Sequence, residues 1–196
     1  TTEDFYDMLV AFKTKDPNGN GKADEIPLTG SSNGWHGDPC RFLLNAFLPF
    51  NDTDFNNWLY NDKGTIRISA TQDEYREGLR YMRRLYQEGL LDKAAYTQTS
   101  DDLKQVSSGE TKIYGAVPVG HLAVFTDTSN YENERPYKAI APIAGPTGRR
   151  ASAYFPQGVA QGAVCAITDR CKYPEIAWRF LDYQFSMEAT LNNMVG

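Results

Sequence analysis

Apolar residues recur at steps of three and four along several stretches of this chain, and most of these stretches are opened by a capping side chain or closed by a glycine. Phe5, Met8, Leu9 and Phe12 follow Thr2 in that rhythm and predict a capped amphipathic helix. Tyr75, Leu79, Met82 and Tyr86 predict a second, with Thr71 and Glu74 as its capping box and Gly89 as its stop. Phe42, Leu43 and Phe47 suggest a short helix, and Ser100 starts another that carries Leu103 and Val106 as far as Gly109. Pro174 opens a last helix, with Ile176, Ala177, Phe180 and Leu181 facing inward.

Between these helices the period changes. Trp58-Leu59-Tyr60 and Ile66-Arg67-Ile68 flank Asn61-Asp62-Lys63-Gly64, which reads as a hairpin with a glycine-closed turn. Residues 112–119 and 163–168 read as buried strands. Helices alternating with short apolar strands predict an α/β architecture, a mixed sheet flanked by helices. Residues 131–162 are rich in Gly and Pro and predict an irregular connection, with Arg149-Arg150 as a solvated tip.

With 196 residues, 41% hydrophobic and 13% aromatic, the chain can bury one large core or two small ones. Its net charge is −5, and its lysines and arginines form no stripe, which argues against nucleic acid as a partner. No apolar run approaches the roughly 20 residues of a membrane span. The chain begins directly on a helix start and stops just after another, so its ends read as cut, and secretion cannot be judged from the amino terminus. Cys40, Cys165 and Cys171 are odd in number and lack metal or CxxC spacing. At least one is then a free thiol in a monomer, and a Cys165–Cys171 bridge and buried inert thiols both remain open.

The sharpest chemical signal is Asp16-Pro17-Asn18-Gly19-Asn20-Gly21-Lys22-Ala23-Asp24-Glu25. A D-x-N-x-N-G spacing throws the first, third and fifth side chains into one concavity, and a hard cation such as calcium takes six to eight oxygens there. The twelfth position, where an EF-hand carries its bidentate glutamate, is Pro27, so Asp24 or Glu25 must close the loop early. Lys22 can offer only its carbonyl. The plain alternative is a solvated Asn/Gly turn that binds nothing.

Catalytic signals are missing. His36 and His121 are the only histidines, and neither sits in an HExxH or zinc-ligand pattern. GxSxG, GxGxxG and Walker loops are absent as well. Asp101 and Asp102 are adjacent rather than opposed, and they are simplest as charge at a helix amino terminus. The chain is instead rich in aromatic residues in loop settings, among them Trp35, Trp58, Tyr60, Phe125, Tyr131, Tyr154 and Phe155. Flat aromatic faces stack on the C–H faces of sugar rings while neighbouring polar groups take the hydroxyls. Trp35, beside His36 in a Gly-rich loop, is the foremost candidate.

Thr1-Thr2-Glu3-Asp4-Phe5-Tyr6-Asp7 leading into residues 15–28 resembles the helix and calcium loop of the extracellular solute-binding lipoproteins of ABC importers, oligosaccharide-binding group. Residues 75–79 and 85–92, and Cys171-Lys172-Tyr173-Pro174-Glu175 with residues 178–183, resemble two further helices of that family. The resemblance implies a type II periplasmic-binding-protein lobe: residues 1–150 as the second lobe, and residues 151–196 as a crossing segment, strand and helix returning towards the first. It also implies a structural calcium held by Asp16, Asn18, Asn20, the Lys22 carbonyl, Asp24 and Glu25. A sugar would lie in the cleft near Trp35, His36, His121, Tyr154 and Phe155.

On this reading the function is non-catalytic binding of an oligosaccharide or uronate-type sugar for import. The partners are the importer's membrane subunits, and the location is extracellular or periplasmic, with membrane contact only through a lipid anchor outside this chain. Two other classes compete: a fragment of a calcium-dependent polysaccharide-degrading enzyme, and a structural calcium module. Burial of Trp35 and His121 in the core would remove the support for a sugar cleft.

Overall fold

Thr1, not Thr2, caps the first helix. In the computed structural model of the chain, the Thr1 hydroxyl accepts the Asp4 N–H at 3.2 Å while the Asp4 carboxylate takes the Thr1 amino group, so that α1 runs Thr2–Thr14. Thr2 is buried instead, and its N–H donates to the Ala144 carbonyl at 2.9 Å. The structure describes residues 1–50, 59–152 and 165–195. They divide into two units, Thr1–Phe155 and Pro156–Gly196.

In the first unit β1 (Ile26–Leu28) leaves the Asp16 loop, and α2 (Pro39–Leu44) follows with Asp38 accepting the Cys40 N–H at its start. The hairpin forms as β2 (Leu59–Asp62) and β3 (Thr65–Ile68), with Trp58 outside the described residues. Lys63 and Gly64 turn it with φ of 49° and 92°, and the Asn61 side chain accepts the Gly64 N–H. A two-residue turn with positive φ at both positions matches the strand twist.

Helix α3 spans Asp73–Gln87, but the capping box of Thr71 with Glu74 does not form. Thr71 belongs to a 3-10 turn and gives its hydroxyl to the Ile68 carbonyl. The buried face is also turned by one residue from the expected one: Gly78, Tyr81, Met82 and Leu85 face inward, whereas Leu79 and Tyr86 are exposed. Gly78 is the reason. A Cβ there would lie 2.5 Å from a Leu44 methyl, so the absent side chain is what lets α2 close on α3.

Helix α4 (Ser100–Ser107) has Asp101 and Asp102 in its first turn, as expected, and is capped by Thr99 in a box with Asp102 that the sequence reading did not name. It buries Leu103, while Val106 lies at the surface. Lys112 reaches back to the Ser107 and Gly109 carbonyls and closes its other end. The expected strand over 112–119 shortens to β4 (Tyr114–Ala116), because Pro118 has no N–H to give a ladder. β4 pairs in parallel with β1, Ile26 opposite Tyr114, and Leu28 adds a parallel bridge to Leu91. Within the segment read as irregular, α5 (Tyr131–Glu134) forms one short turn of helix, and Ala144 bridges Arg150. Arg149 is half-buried with its Nε enclosed, not a solvated tip.

Phe5 and Leu9 of α1, Leu28 of β1, Leu43 and Leu44 of α2, and Tyr81, Met82 and Leu85 of α3 form the main core with the segment around Phe47. A second cluster gathers Leu103, Tyr114 and Phe125. Ile26, Ile113, Val117, Val119 and Tyr137 pack against it, half-buried.

In the second unit α6 (Pro174–Tyr183) and α7 (Met187–Val195) stand where one last helix was expected. Ile176 and Phe180 do not face inward; they are 65% and 66% exposed, while Ala177 and Leu181 are half-buried. Residues 165–168 form no strand, since no strand among the described residues pairs with them, and residues 163 and 164 lie outside those described. Cys40, Cys165 and Cys171 are all free thiols. Burial, with the Asp38 carboxylate beside it, pushes the Cys40 thiol up to about 12 and leaves it protonated.

Candidate functional site

The Asp16 loop starts where α1 ends, and its shape comes from side-chain oxygens accepting its own amides. Asp16 takes the N–H groups of Asn20 at 3.1 Å and Gly21 at 2.8 Å, Asn18 takes that of Asn20 at 3.0 Å, and Asn20 takes that of Lys22 at 2.8 Å. Positive φ at Asp16, Gly19 and Gly21 lets the chain wind this tightly. The amides of Asn18 and Asn20 both reach the Asp24 carboxylate, at 3.4 Å and 3.1 Å, so Asp16, Asn18, Asn20 and Asp24 are brought together. Lys22 and Glu25 line a recess of about 220 Å³ beside Asp16.

Two observations bear on a cation here. Oε1 of Glu25 is enclosed without a hydrogen-bond partner, and an acceptor of that kind is satisfied by a cation as well as by a donor. Among the described residues, however, no three His, Cys, Asp or Glu side chains gather closely enough to hold a metal. A cation here would have to be held by a mixed set of carboxylates, amides and carbonyls, donors of the kind calcium accepts, rather than by a carboxylate cluster. The loop is also fastened to the sheet: Asn18 donates to the Lys112 carbonyl at 3.2 Å, and Ile26 N–H donates to that of Ile113 at 2.8 Å.

The second feature stands at the other end of β1 and β4. Leaving β1, the chain folds on itself, Ser31 N–H to Gly37 carbonyl at 2.8 Å and Gly37 N–H to Gly34 carbonyl at 2.9 Å, and presents Trp35 at the bend. Trp35 is 56% exposed, and its indole lies 4.9 Å from the His36 ring. His36 has a φ of 58°, a left-handed conformation that a non-glycine residue holds only when its surroundings enforce it. Burial, and secondarily the Arg41 guanidinium, hold its imidazole below its ordinary range and so towards the neutral form.

The loop after β4 crosses this bend. Gly120 N–H donates to the Trp35 carbonyl at 2.8 Å, and a Cβ on Gly120 would fall 2.5 Å from the indole and 2.8 Å from the His36 ring. His121, next along and exposed, accepts the Ala123 N–H on Nδ1 and opens the turn Leu122–Val124. Trp35, His36 and His121 are thus borne by two loops in contact, outside the core. Phe125 is core, between Tyr114 and Tyr137. Tyr154 and Phe155 lie outside the described residues.

The sequence did not disclose what holds the Trp35 loop. Gln98 donates to the Thr29 hydroxyl at 2.7 Å and the Gly30 carbonyl at 2.8 Å, and the Thr29 hydroxyl donates to the Asp92 carboxylate at 2.8 Å. The Gln98 carbonyl accepts the N–H and the hydroxyl of Ser32, and Asn33 accepts the Ser100 N–H.

No family model matches the chain. Over 199 residues it is 32% identical to the fructooligosaccharide ABC transporter substrate-binding protein FusA of Streptococcus pneumoniae, an alignment covering all of this chain and 35% of FusA. The solved complex of an EF-hand mutant of FusA with fructo-nystose matches 98% of this chain and 37% of that one, at 27% identity and a TM-score of 0.64. This chain is homologous to a segment of ABC transporter substrate-binding proteins. Lipoprotein LipO of Bacillus subtilis is 29% identical over 76% of the chain and 30% of LipO. An HMO-binding solute-binding protein from Bifidobacterium longum infantis matches 74% of the chain and 30% of its own, at 28% identity and a TM-score of 0.62. The chain therefore spans about a third of the length of these relatives. Its α/β fold, small sheets flanked by helices, is that of solute-binding proteins. No described helix is long and apolar enough to cross a membrane.

Proposed function

We propose that this chain is one lobe of an extracellular oligosaccharide receptor serving ABC-type import, binding sugar without catalysing a reaction on it. The observation that carries this reading is the exposed Trp35 indole, braced from behind by Gly120 and flanked by His36. An aromatic face held in place at the surface offers a sugar its stacking partner without an ordering cost on binding. The sugar-binding relatives support the class of ligand. A second lobe would supply the other half of the site, and hinge closure would enclose the sugar. Residues 151–196 are the segment returning towards that lobe.

Calcium serves here as scaffold. Asp16, Asn18, Asn20, Asp24, Glu25 and the Lys22 carbonyl would hold it, the asparagines through the remaining lone pairs of their oxygens. The ion would pin the end of α1 to the start of β1, and the EF-hand of FusA supports such a site. The receptor would sit on the outer face of the cell as a lipoprotein and deliver sugar to the importer's membrane subunits.

The test is calorimetric titration of the two-lobed protein with fructooligosaccharides, human-milk-type oligosaccharides and uronate oligomers. One class should bind without being consumed, and Trp35→Ala should weaken it about tenfold or more, the loss of a stacking contact of roughly 1–2 kcal/mol. Hydrolysis of any of these sugars, abolished by a carboxylate substitution, would establish the enzyme reading instead.

A further inference from the structure

Gln98 lies on neither candidate loop, yet it contacts the Trp35 loop through both its side chain and its backbone. Its amide nitrogen stands 2.7 Å from the Thr29 hydroxyl, 2.8 Å from the Gly30 carbonyl and 3.3 Å from an Asp92 carboxylate oxygen. Its carbonyl accepts both the Ser32 N–H at 2.9 Å and the Ser32 hydroxyl at 3.0 Å. Thr29 is fully buried and Gln98 half-buried, so the side-chain bonds are shielded in part from water, whereas Ser32 makes its bonds at the surface. Asp92 completes the arrangement: its N–H donates to the Leu28 carbonyl, one carboxylate oxygen accepts a hydrogen bond from the Thr29 hydroxyl, and the other caps the turn Lys93–Tyr96.

We propose that Gln98 is a positioning residue for the sugar site: it fixes residues 29–33 and thereby sets where Trp35, three residues beyond Ser32, presents its indole. The inference rests on the sugar-binding reading of Trp35, but its mechanical part does not. The residue type matters. Two N–H protons are shared among a hydroxyl, a carbonyl and a carboxylate, and a leucine of similar size supplies none of them. A glutamate would place a second carboxylate against Asp92 and leave the Gly30 carbonyl without a donor. Connected networks shielded in part from water are stiff when complete and fail locally when one donor is removed.

The experiment compares wild type, Gln98→Leu and Gln98→Glu in the full-length protein, by amide hydrogen exchange and by titration with nystose. Exchange of the Ser31 and Gly37 amides should speed up about tenfold or more in both variants, the equivalent of one lost buried hydrogen bond, while the amides of α1 and α3 keep their protection. Protonating the new glutamate restores a donor, so in Gln98→Glu the effect should shrink as pH falls towards the carboxylate range. Nystose affinity should drop in parallel. Unchanged exchange at residues 31–37, or protection lost equally throughout the chain, would overturn the positioning role. If wild type binds no nystose, the sugar reading fails on its own, and the exchange result still decides the role of Gln98.

Discussion

The backbone N–H of Gly120 donates to the carbonyl of Trp35 at 2.8 Å, and the space a side chain on Gly120 would fill is taken by the indole itself. Two loops distant in sequence, one after β1 and one after β4, therefore meet without an intervening side chain. The parallel pairing of these strands brings their carboxyl ends to the same side, where ligands bind in open α/β sheets. Gly120→Ala should cost about 1–3 kcal/mol through overpacking and displace Trp35. With Trp58 and Trp178 replaced by phenylalanine, a shift in the remaining emission maximum together with weaker sugar binding is expected. An unmoved emission spectrum would show that the contact does not place the indole.

His36 makes the same site sensitive to acid. Its imidazole is held below the ordinary value of 6.5, first by burial and then by Arg41. A group with a lowered folded value contributes fully above its unfolded value, and that contribution is lost as pH falls through the folded one. The Trp35 emission of the single-tryptophan protein should therefore be level above pH 6.5 and fall below it, since the imidazolium beside it quenches indole. His36→Asn, which tolerates the positive φ, should remove the transition. A midpoint at or above 6.5, or the same curve without His36, would refute this assignment.

Calcium should raise stability by mass action. An ion present at a hundredfold excess over its dissociation constant adds about 2.7 kcal/mol. For a chain of this size that corresponds to several degrees in the melting midpoint, so a chelator should lower it by that amount. Asp16→Ala should abolish the response to calcium, although it also removes the acceptor for two loop amides and lowers the starting midpoint. Asp16→Asn keeps an acceptor oxygen and should weaken the response without that loss. Identical melting curves with and without chelator would reject a structural ion.

What the sequence disclosed was local. The Asp16 loop is legible because its candidate ligands lie within ten residues, and the hairpin because its turn chemistry sits between its strands. The face of α3 was misread by one residue because Gly78 carries no hydrophobic signal, although its missing side chain is what α2 packs against. The Thr29, Asp92 and Gln98 network was invisible for a different reason: it joins residues 63 and 69 apart, with polar side chains that any surface loop would also carry. Trp35 could be picked out by type and setting, but Gly120 and Gln98, which decide its position, could not.

Helix α6 yields the last expectation. Ile176 and Phe180 lie one turn apart on one side, Trp178 points the other way at 64% exposed, and Phe185 just beyond is 86% exposed. A helix apolar on several sides is one whose working state buries it. The 196-residue chain by itself should therefore bind an apolar dye and self-associate with rising concentration. Ile176→Ser with Phe180→Ser should suppress both, while leaving the stability of the Thr1–Phe155 unit within about 0.5 kcal/mol, since neither side chain is buried. Light scattering and dye fluorescence provide the measurement, with thermal melting as the control. Association and dye binding that persist in the double variant would place the adhesive surface elsewhere on the chain.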